Sequence, residues 1–329
     1  MRSMWNGFRS PAAEWIEAYL AHRRAIGRRF RSEERELQLL DRFLVDQGVK
    51  TVEAIESSLL ESFLASRPRT RPRSYNHLLG VVRRLFDWLT RQGMLERSPL
   101  RARPRRETAR RMPFLFDASQ ARRLLEVAGG LPDRSGAPLR GWTYRVIFAL
   151  LYALGLRAGE VSRLCCKDLD LNRQLLLIRD TKFSKSRLVP FGPRIGGLLR
   201  EYLERRGERG ALLSPEAPLF CFRKNRPVSA GTISQSFHHL VPRLDFTILP
   251  GVAMPRVHDL RHSFAVGTLL RWYREGIDPS TRLLHLSTFL GHVDPTSTAV
   301  YLTITSELLA EASRRFERFA PAPLQQVDP

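Results

Sequence analysis

The stretch that decides the reading is His258-Asp259-Leu260-Arg261-His262, followed by Leu290-Gly291-His292 and then Thr298-Ala299-Val300-Tyr301-Leu302. Helical spacing puts His258 and Arg261 on one face. Gly291 reads as a helix stop, which leaves His292 on a turn. Asp294-Pro295-Thr296 restarts a helix through cap and proline chemistry, with Tyr301 in its early turns. One guanidinium, two imidazoles and a phenol can therefore converge. Such a set suits a pentavalent phosphate. Arginine grips non-bridging oxygens, histidine moves protons or donates hydrogen bonds, and tyrosine attacks.

The rest of the chain agrees with a phosphate-bearing partner. Its 329 residues allow two domains. The 54 basic and 33 acidic side chains leave a net charge of +21. Residues 1–112 and residues 113–329 share that excess almost equally, which excludes a basic tail on a neutral enzyme. Nucleic acid is the first polyanion to consider, and two basic lobes could close around a duplex. Nearly all the positive charge is arginine; lysine occurs only five times. Cys165, Cys166 and Cys221 make no disulfide framework, and the adjacent pair lacks zinc spacing. Free thiols in a reducing cytosol are expected. No apolar run reaches the roughly 18 residues of a membrane span, and the N-terminus lacks a signal-peptide core. A cytoplasmic, nucleoid-associated protein follows as an expectation.

Working outward, the first part reads as four helices. Ser10-Pro11 starts one that Gly27 ends, and Ser32–Gln47 is the second. Thr51 caps a third, and the fourth runs from about Ser74 to Gln92. Arg67, Arg69, Arg71 and Arg73 alternate with prolines and polar residues at the start of the fourth. A solvated loop is the plain reading, and phosphate contact at a helix N-terminus is the functional one. Tyr75, Asn76 and His77 are candidates to reach base edges. Residues 98–113, with Arg101, Arg103, Arg105 and Arg106, lack helical periodicity and read as a basic interdomain linker tracking the DNA backbone.

The second domain is expected to span 114–320, with a tail at 321–329. Asp117 caps its first helix. Trp142–Leu156 is an apolar core helix ending at Gly155-Leu156-Arg157-Ala158-Gly159-Glu160. Leu175–Ile178 and Arg187–Pro190 form a hairpin with Lys182 near its tip. Pro193–Arg206 and Ser229–Leu240 are helical, and Ser306–Phe319 is a last amphipathic helix. The fold class is mainly α with a small antiparallel sheet: an N-terminal helical bundle and a mixed α+β domain.

Taken singly, these residues say little. Arg157 is most often a surface or ion-pair residue, with Glu160 the natural group to orient it; Lys182 at a hairpin tip is normally solvated. The order Arg, Lys, His-x-x-Arg, Leu-Gly-His, Tyr is more specific. Gly155-Leu-Arg157-Ala-Gly-Glu160, Lys182 with Lys185-x-Arg187-Leu-Val-Pro190, His258-Asp-Leu-Arg261-His262-Ser-Phe-Ala265, and Leu290-Gly-His292 with Tyr301 nine residues on resemble the motifs of the tyrosine recombinase, or phage-type integrase, family. The likeness covers residues 114–305, and the N-terminal bundle resembles that family's core-binding domain in kind.

The resemblance implies roles. Tyr301 becomes the nucleophile of a 3′-phosphotyrosine intermediate. Arg157 and Arg261 clamp the scissile phosphate, and Lys182 is the general acid for the 5′-oxygen. His258 serves Tyr301 as base or hydrogen-bond partner, His292 donates to a non-bridging oxygen, and Glu160 supports Arg157. Neither a cofactor nor a metal is implied. The expected partner is double-stranded DNA with inverted-repeat half-sites, bound by a homo-tetramer or together with a related recombinase. The terminal helix would dock into a neighbouring protomer. The stretch from Arg261 to His292 is longer than usual, which suggests transposon-borne integrases and makes His285 a weaker rival to His292. Two other classes fit parts of the pattern. A type IB topoisomerase shares the chemistry, and a zinc metallohydrolase could use His258, His262 and His292. Arg261 beside a metal disfavours the latter.

Overall fold

The structure, a computed structural model, describes residues 7–27, 30–106, 111–179, 186–211, 213–222, 226–292, 294 and 296–303. The chain divides into two compact units, Met1–Arg110 and Arg111–Pro329.

The first unit holds α1 (Ala13–Ala25), α2 (Arg31–Asp46), α3 (Ser57–Ala65) and α4 (Pro72–Arg91). Their apolar faces meet in one core that includes Ile16, Leu40, Phe63, Leu78 and Phe86. Two starts differ from expectation. The helix predicted from Ser10 begins at Ala13, because the Arg9 and Ser10 backbone N–H groups turn to the buried Asp41 carboxylate at 3.1 and 2.8 Å. Thr51 lies in a turn, and α3 starts six residues on after Glu56. Pro72 occupies the first turn of α4, where its missing N–H costs nothing.

The basic segment read as a linker is not loose along the part described. Leu100 joins the first unit's core. Arg83 donates to the Ala102 carbonyl at 2.5 Å. The Asn76 amide grips the Arg105 backbone from both ends, donating at 2.8 Å and accepting at 2.7 Å. Residues 98–106 thus form an arm strapped to α4. Arginine-rich composition signals polarity, but the few apolar and amide contacts decide where the chain lies.

The second unit is built on α6 (Arg140–Ala153), most of whose residues are buried. Around it pack α5 (Ala118–Gly129), α8 (Pro193–Glu208) and α10 (Asp259–Arg274). Asp117 caps α5 as expected, accepting from the Gln120 N–H at 2.8 Å while the Gln120 side chain returns to the Asp117 N–H at 3.1 Å. That reciprocal pair is worth about 1 kcal/mol. The short α7 (Ala158–Val161) follows α6, and α9 (Ala230–Leu240) is capped by Ser229.

The sheet is antiparallel in the order β1 (Leu169–Asp170), β2 (Leu175–Ile178), β3 (Arg187–Pro190). Leu176 faces Val189 and Ile178 faces Arg187. The hairpin arms were expected; β1 was not, since two residues are too few to show a period. Beyond α10 come α11 (Pro279–Leu290), α12 (Thr296–Ala299) and a 3-10 turn at Val300–Thr303. No helix of the described residues is long and apolar enough to cross a membrane. Lys182, Lys185 and the helix expected at Ser306–Phe319 lie outside the described residues.

Candidate active site

Two helix ends make the site. At the close of α6, Gly155 adopts φ +59°, and a β-carbon there would lie 2.6 Å from Phe264. Only glycine lets the chain turn this tightly against α10. The turn delivers Arg157 to the start of α7. At the close of α11, Gly291 is left-handed with φ +67°, and a β-carbon would meet the Arg187 guanidinium at 2.6 Å. The expected helix stop is there, and it exposes the last carbonyls of α11.

Three arginines collect on those carbonyls. Arg187 Nε donates to Phe289 O at 2.7 Å. Arg261 donates to Leu290 O at 2.7 Å and to Gly155 O at 2.6 Å. Arg157 reaches Leu290 O at 3.4 Å and Gly291 O at 3.2 Å. The negative end of a helix is a favourable place for cations. Arg261 is fully buried, and burial, with the charge of Arg157 next, pulls the pKa of its guanidinium down to about 9. It remains charged at neutral pH.

Glu160 balances this cluster. One carboxylate oxygen accepts Arg157 Nη1 at 2.8 Å, and the two together accept Arg187 at 3.0 and 2.9 Å. Burial would raise its pKa, but the bidentate Arg187 and the nearby Arg157 hold it at about 2. The sequence reading paired Glu160 with Arg157 and missed Arg187. The available signal was an arginine on a short strand whose neighbours alternate, placing it on the inward face.

His258 precedes α10 as its N-cap residue, with its ring partly open to solvent. Desolvation, then the positive character of His262, Arg261 and Arg157, lowers it to about 4. His292 falls to about 4 as well, through burial and then Arg261 and Arg157. Both rings are therefore neutral at pH 7. His292 shares a hydrogen bond with the Thr298 hydroxyl at 2.6 Å, and its ring stacks 6.4 Å from that of Tyr301. Asp294 caps α12 through the Thr296 N–H at 2.9 Å.

Tyr301 is only 4% exposed, and its phenolic oxygen lies 2.9 Å from His262 Nδ1. His258 was the expected partner; His262, one helical turn further along α10, also lies within hydrogen-bond distance of the phenol. His285, the rival to His292, is exposed on α11. Among the described residues no group of three His, Cys, Asp or Glu side chains is placed to hold a metal. His262 and His292 instead direct Nδ1 at Tyr301 and Thr298.

In the first unit the basic residues separate into two kinds. Arg69 is committed to Glu36 at 2.7 Å. Arg105 lies over the Tyr75 ring at 4.0 Å and donates to Arg69 O at 2.8 Å. Arg105 is nonetheless exposed, as are Arg71, Arg73, Arg101, Arg103 and Arg106, and Arg67 is half-buried. Tyr75 and Asn76, read as base-edge candidates, are both occupied by the arm.

A helical domain with a small antiparallel sheet, carrying arginines, histidines and a tyrosine in one cluster, is the catalytic architecture of the tyrosine recombinases. The sequence profile of the phage integrase family matches residues 116–307, and the chain belongs to that family. These are site-specific recombinases that break and rejoin DNA. Among its relatives, a putative integrase/recombinase, y4rB, of Sinorhizobium fredii is 35% identical over 92% of this chain and 96% of its own length. Tyrosine recombinase XerC of Xanthomonas campestris pv. campestris is 28% identical over 90% of this chain and 86% of its own. The Tn1549 transposon integrase, solved with transposon right end DNA, shares the fold with a TM-score of 0.65 at 18% identity, over 94% of this chain and 99% of that one. A lambda integrase dimer bound to a core site has a TM-score of 0.58 at 15% identity, covering 86% and 96%.

Proposed function

We propose that Tyr301 attacks a scissile phosphate in duplex DNA, forming a 3′-phosphotyrosine and freeing a 5′-hydroxyl. Arg157 and Arg261 bind the non-bridging oxygens, His292 donates to one of them, and Glu160 holds Arg157 in place. Lys182 protonates the leaving 5′-oxygen. His258, neutral at the site mouth, is a hydrogen-bond donor to the phosphate. The observation that carries this reading is the convergence of Arg157, Arg261, His292 and Tyr301 around the last turn of α11. Two guanidiniums there supply the charge that phosphoryl transfer needs.

The DNA partner is a pair of inverted-repeat half-sites. The first unit contributes phosphate contacts through the exposed arginines Arg71, Arg73, Arg101, Arg103 and Arg106, with Arg67 at their edge. Active protein is a homo-tetramer on DNA or a mixed assembly with a related recombinase. The likeness to y4rB and to a transposon integrase supports a role in moving a genetic element, acting on nucleoid DNA in the cytoplasm.

The experiment is covalent trapping on a nicked half-site duplex, read on a denaturing gel. Wild-type protein should leave a DNA-linked band, in EDTA as well as without it. Tyr301→Phe should bind the duplex and leave none. A covalent band from Tyr301→Phe would sink the assignment.

A further inference from the structure

Tyr301 meets a histidine that the spacing of the motifs did not offer it. We infer that His262 is the base that takes the Tyr301 phenolic proton during cleavage, with Asp259 positioning its ring; this rests on Tyr301 being the nucleophile as proposed above.

The geometry is that of a relay along one helix. His262 Nδ1 lies 2.9 Å from the Tyr301 oxygen, within reach of a direct proton transfer. On the other side of the ring, Nε2 lies 3.9 Å from the Asp259 carboxylate. That distance is too long for a hydrogen bond, but the negative charge still favours the proton on Nε2. Nδ1 is then the acceptor that a phenol O–H requires. Asp259 is completely buried and cannot swing away. The Arg256 backbone N–H holds one of its oxygens at 2.8 Å, and the Arg256 guanidinium holds the other at 3.0 Å. Asp259 and His262 are one turn apart on α10, so a rigid element sets their separation.

The surroundings favour a proton shuttle at this position. The His262 side chain is 16% exposed, which limits competition from water. The His258 ring packs edge-on against it with centroids 4.7 Å apart. His258 is neutral, so it adds no second cation beside the imidazolium that would form. The two guanidiniums nearby favour the phenolate as it develops, and the buried Asp259 carboxylate offsets the charge left on His262.

In the step itself, the bond from the Tyr301 oxygen to phosphorus forms while its proton passes to His262 Nδ1. The bond from phosphorus to the 5′-oxygen breaks, and that oxygen takes its proton from Lys182, the acid of the proposed function. Rejoining runs the reverse: the 5′-hydroxyl attacks, and His262 returns the proton to the departing tyrosine.

The test measures single-turnover covalent trapping on the nicked half-site with full-length protein. His262→Gln should slow trapping by about 100- to 10,000-fold, the range typical of a lost general base. Its half-site binding and thermal unfolding should stay close to wild type. A fluorinated tyrosine placed at position 301 is more acidic and needs less help. It should restore most of the rate to His262→Gln while changing the wild-type rate little. A His262→Gln variant that cleaves at the wild-type rate overturns the inference. A faster variant does so too, and would mean that His262 stores the phenol. Loss without recovery by fluorotyrosine reduces His262 to a structural support and equally overturns it. Should the variant fail to fold, a graded series of fluorotyrosines in otherwise wild-type protein decides the matter. An intact base predicts a shallow dependence of rate on phenol acidity, and a steep one refutes it. The parent reading is tested separately: if Tyr301→Phe is inert while His262→Gln is unaffected, only the present inference fails.

Discussion

Arg187 and Glu160 face each other through two parallel hydrogen bonds, 3.0 and 2.9 Å long, between strand β3 and helix α7. The carboxylate is almost wholly enclosed, and the same carboxylate orients Arg157. The pair therefore connects the hairpin to Arg157, the arginine proposed to grip the scissile phosphate. One buried charge thus holds both guanidiniums.

Glu160→Gln should destabilise the protein by about 3 kcal/mol, because it leaves Arg187 buried beside a neutral amide. The carboxyl is held at about 2 in the folded protein, below its ordinary 4.5. Its contribution is thus present above pH 4.5 and is lost as pH falls towards 2. Urea unfolding of wild type and variant at a series of pH values should show the gap closing over that window. A gap independent of pH would place the loss elsewhere.

The first unit's arginines should separate in a salt titration. Replacing Arg71, Arg73, Arg101, Arg103 or Arg106 by alanine should each lower the slope of log affinity against log salt by about 0.9 for every phosphate left unneutralised. Arg69→Ala and Arg105→Ala should act first on stability, since their side chains hold Glu36 and the arm. Equal slopes for both groups would refute the division.

His258 and His292 titrate near 4 in the unbound protein, well below the ordinary 6.5. Unfolding raises both, so the stability that their neutral forms contribute is full above about pH 6.5. It declines as pH falls towards 4. A bound phosphate offsets the neighbouring arginines and should raise both groups. Half-site binding should accordingly take up protons below neutrality. Calorimetry in buffers of different ionisation heat reads this directly, and zero uptake at pH 5.5 would contradict it.

Truncation after Thr305 removes the terminal segment expected to link protomers. Binding to one half-site should be unchanged, while cooperative binding to paired half-sites and complete recombination should be lost. A gel shift on one versus two half-sites decides, with unchanged cooperativity counting against the linkage.

Local chemistry made much of this legible in the sequence. Asp117 and Gln120 form their capping box because the partners are three residues apart. Leu175–Ile178 and Arg187–Pro190 pair because two short, largely apolar runs flank a polar stretch of sequence. Gly155 and Gly291 punctuate their helices because no other residue fits a left-handed turn under Phe264 or Arg187. Order and residue type along the chain were enough to collect Arg157, Arg261, His292 and Tyr301. Tertiary packing decided what those residues touch. Helical spacing gives His258 and His262 nearly the same face, and only the path of the chain after α11 sets which of them meets Tyr301. Likewise, nothing local distinguishes Arg69 and Arg105, whose guanidiniums are engaged within the unit, from the other arginines beside them. Glu36, Tyr75 and Asn76 make that distinction, and they reach those two arginines only because the folded bundle lays the arm and α2 against the same end of α4.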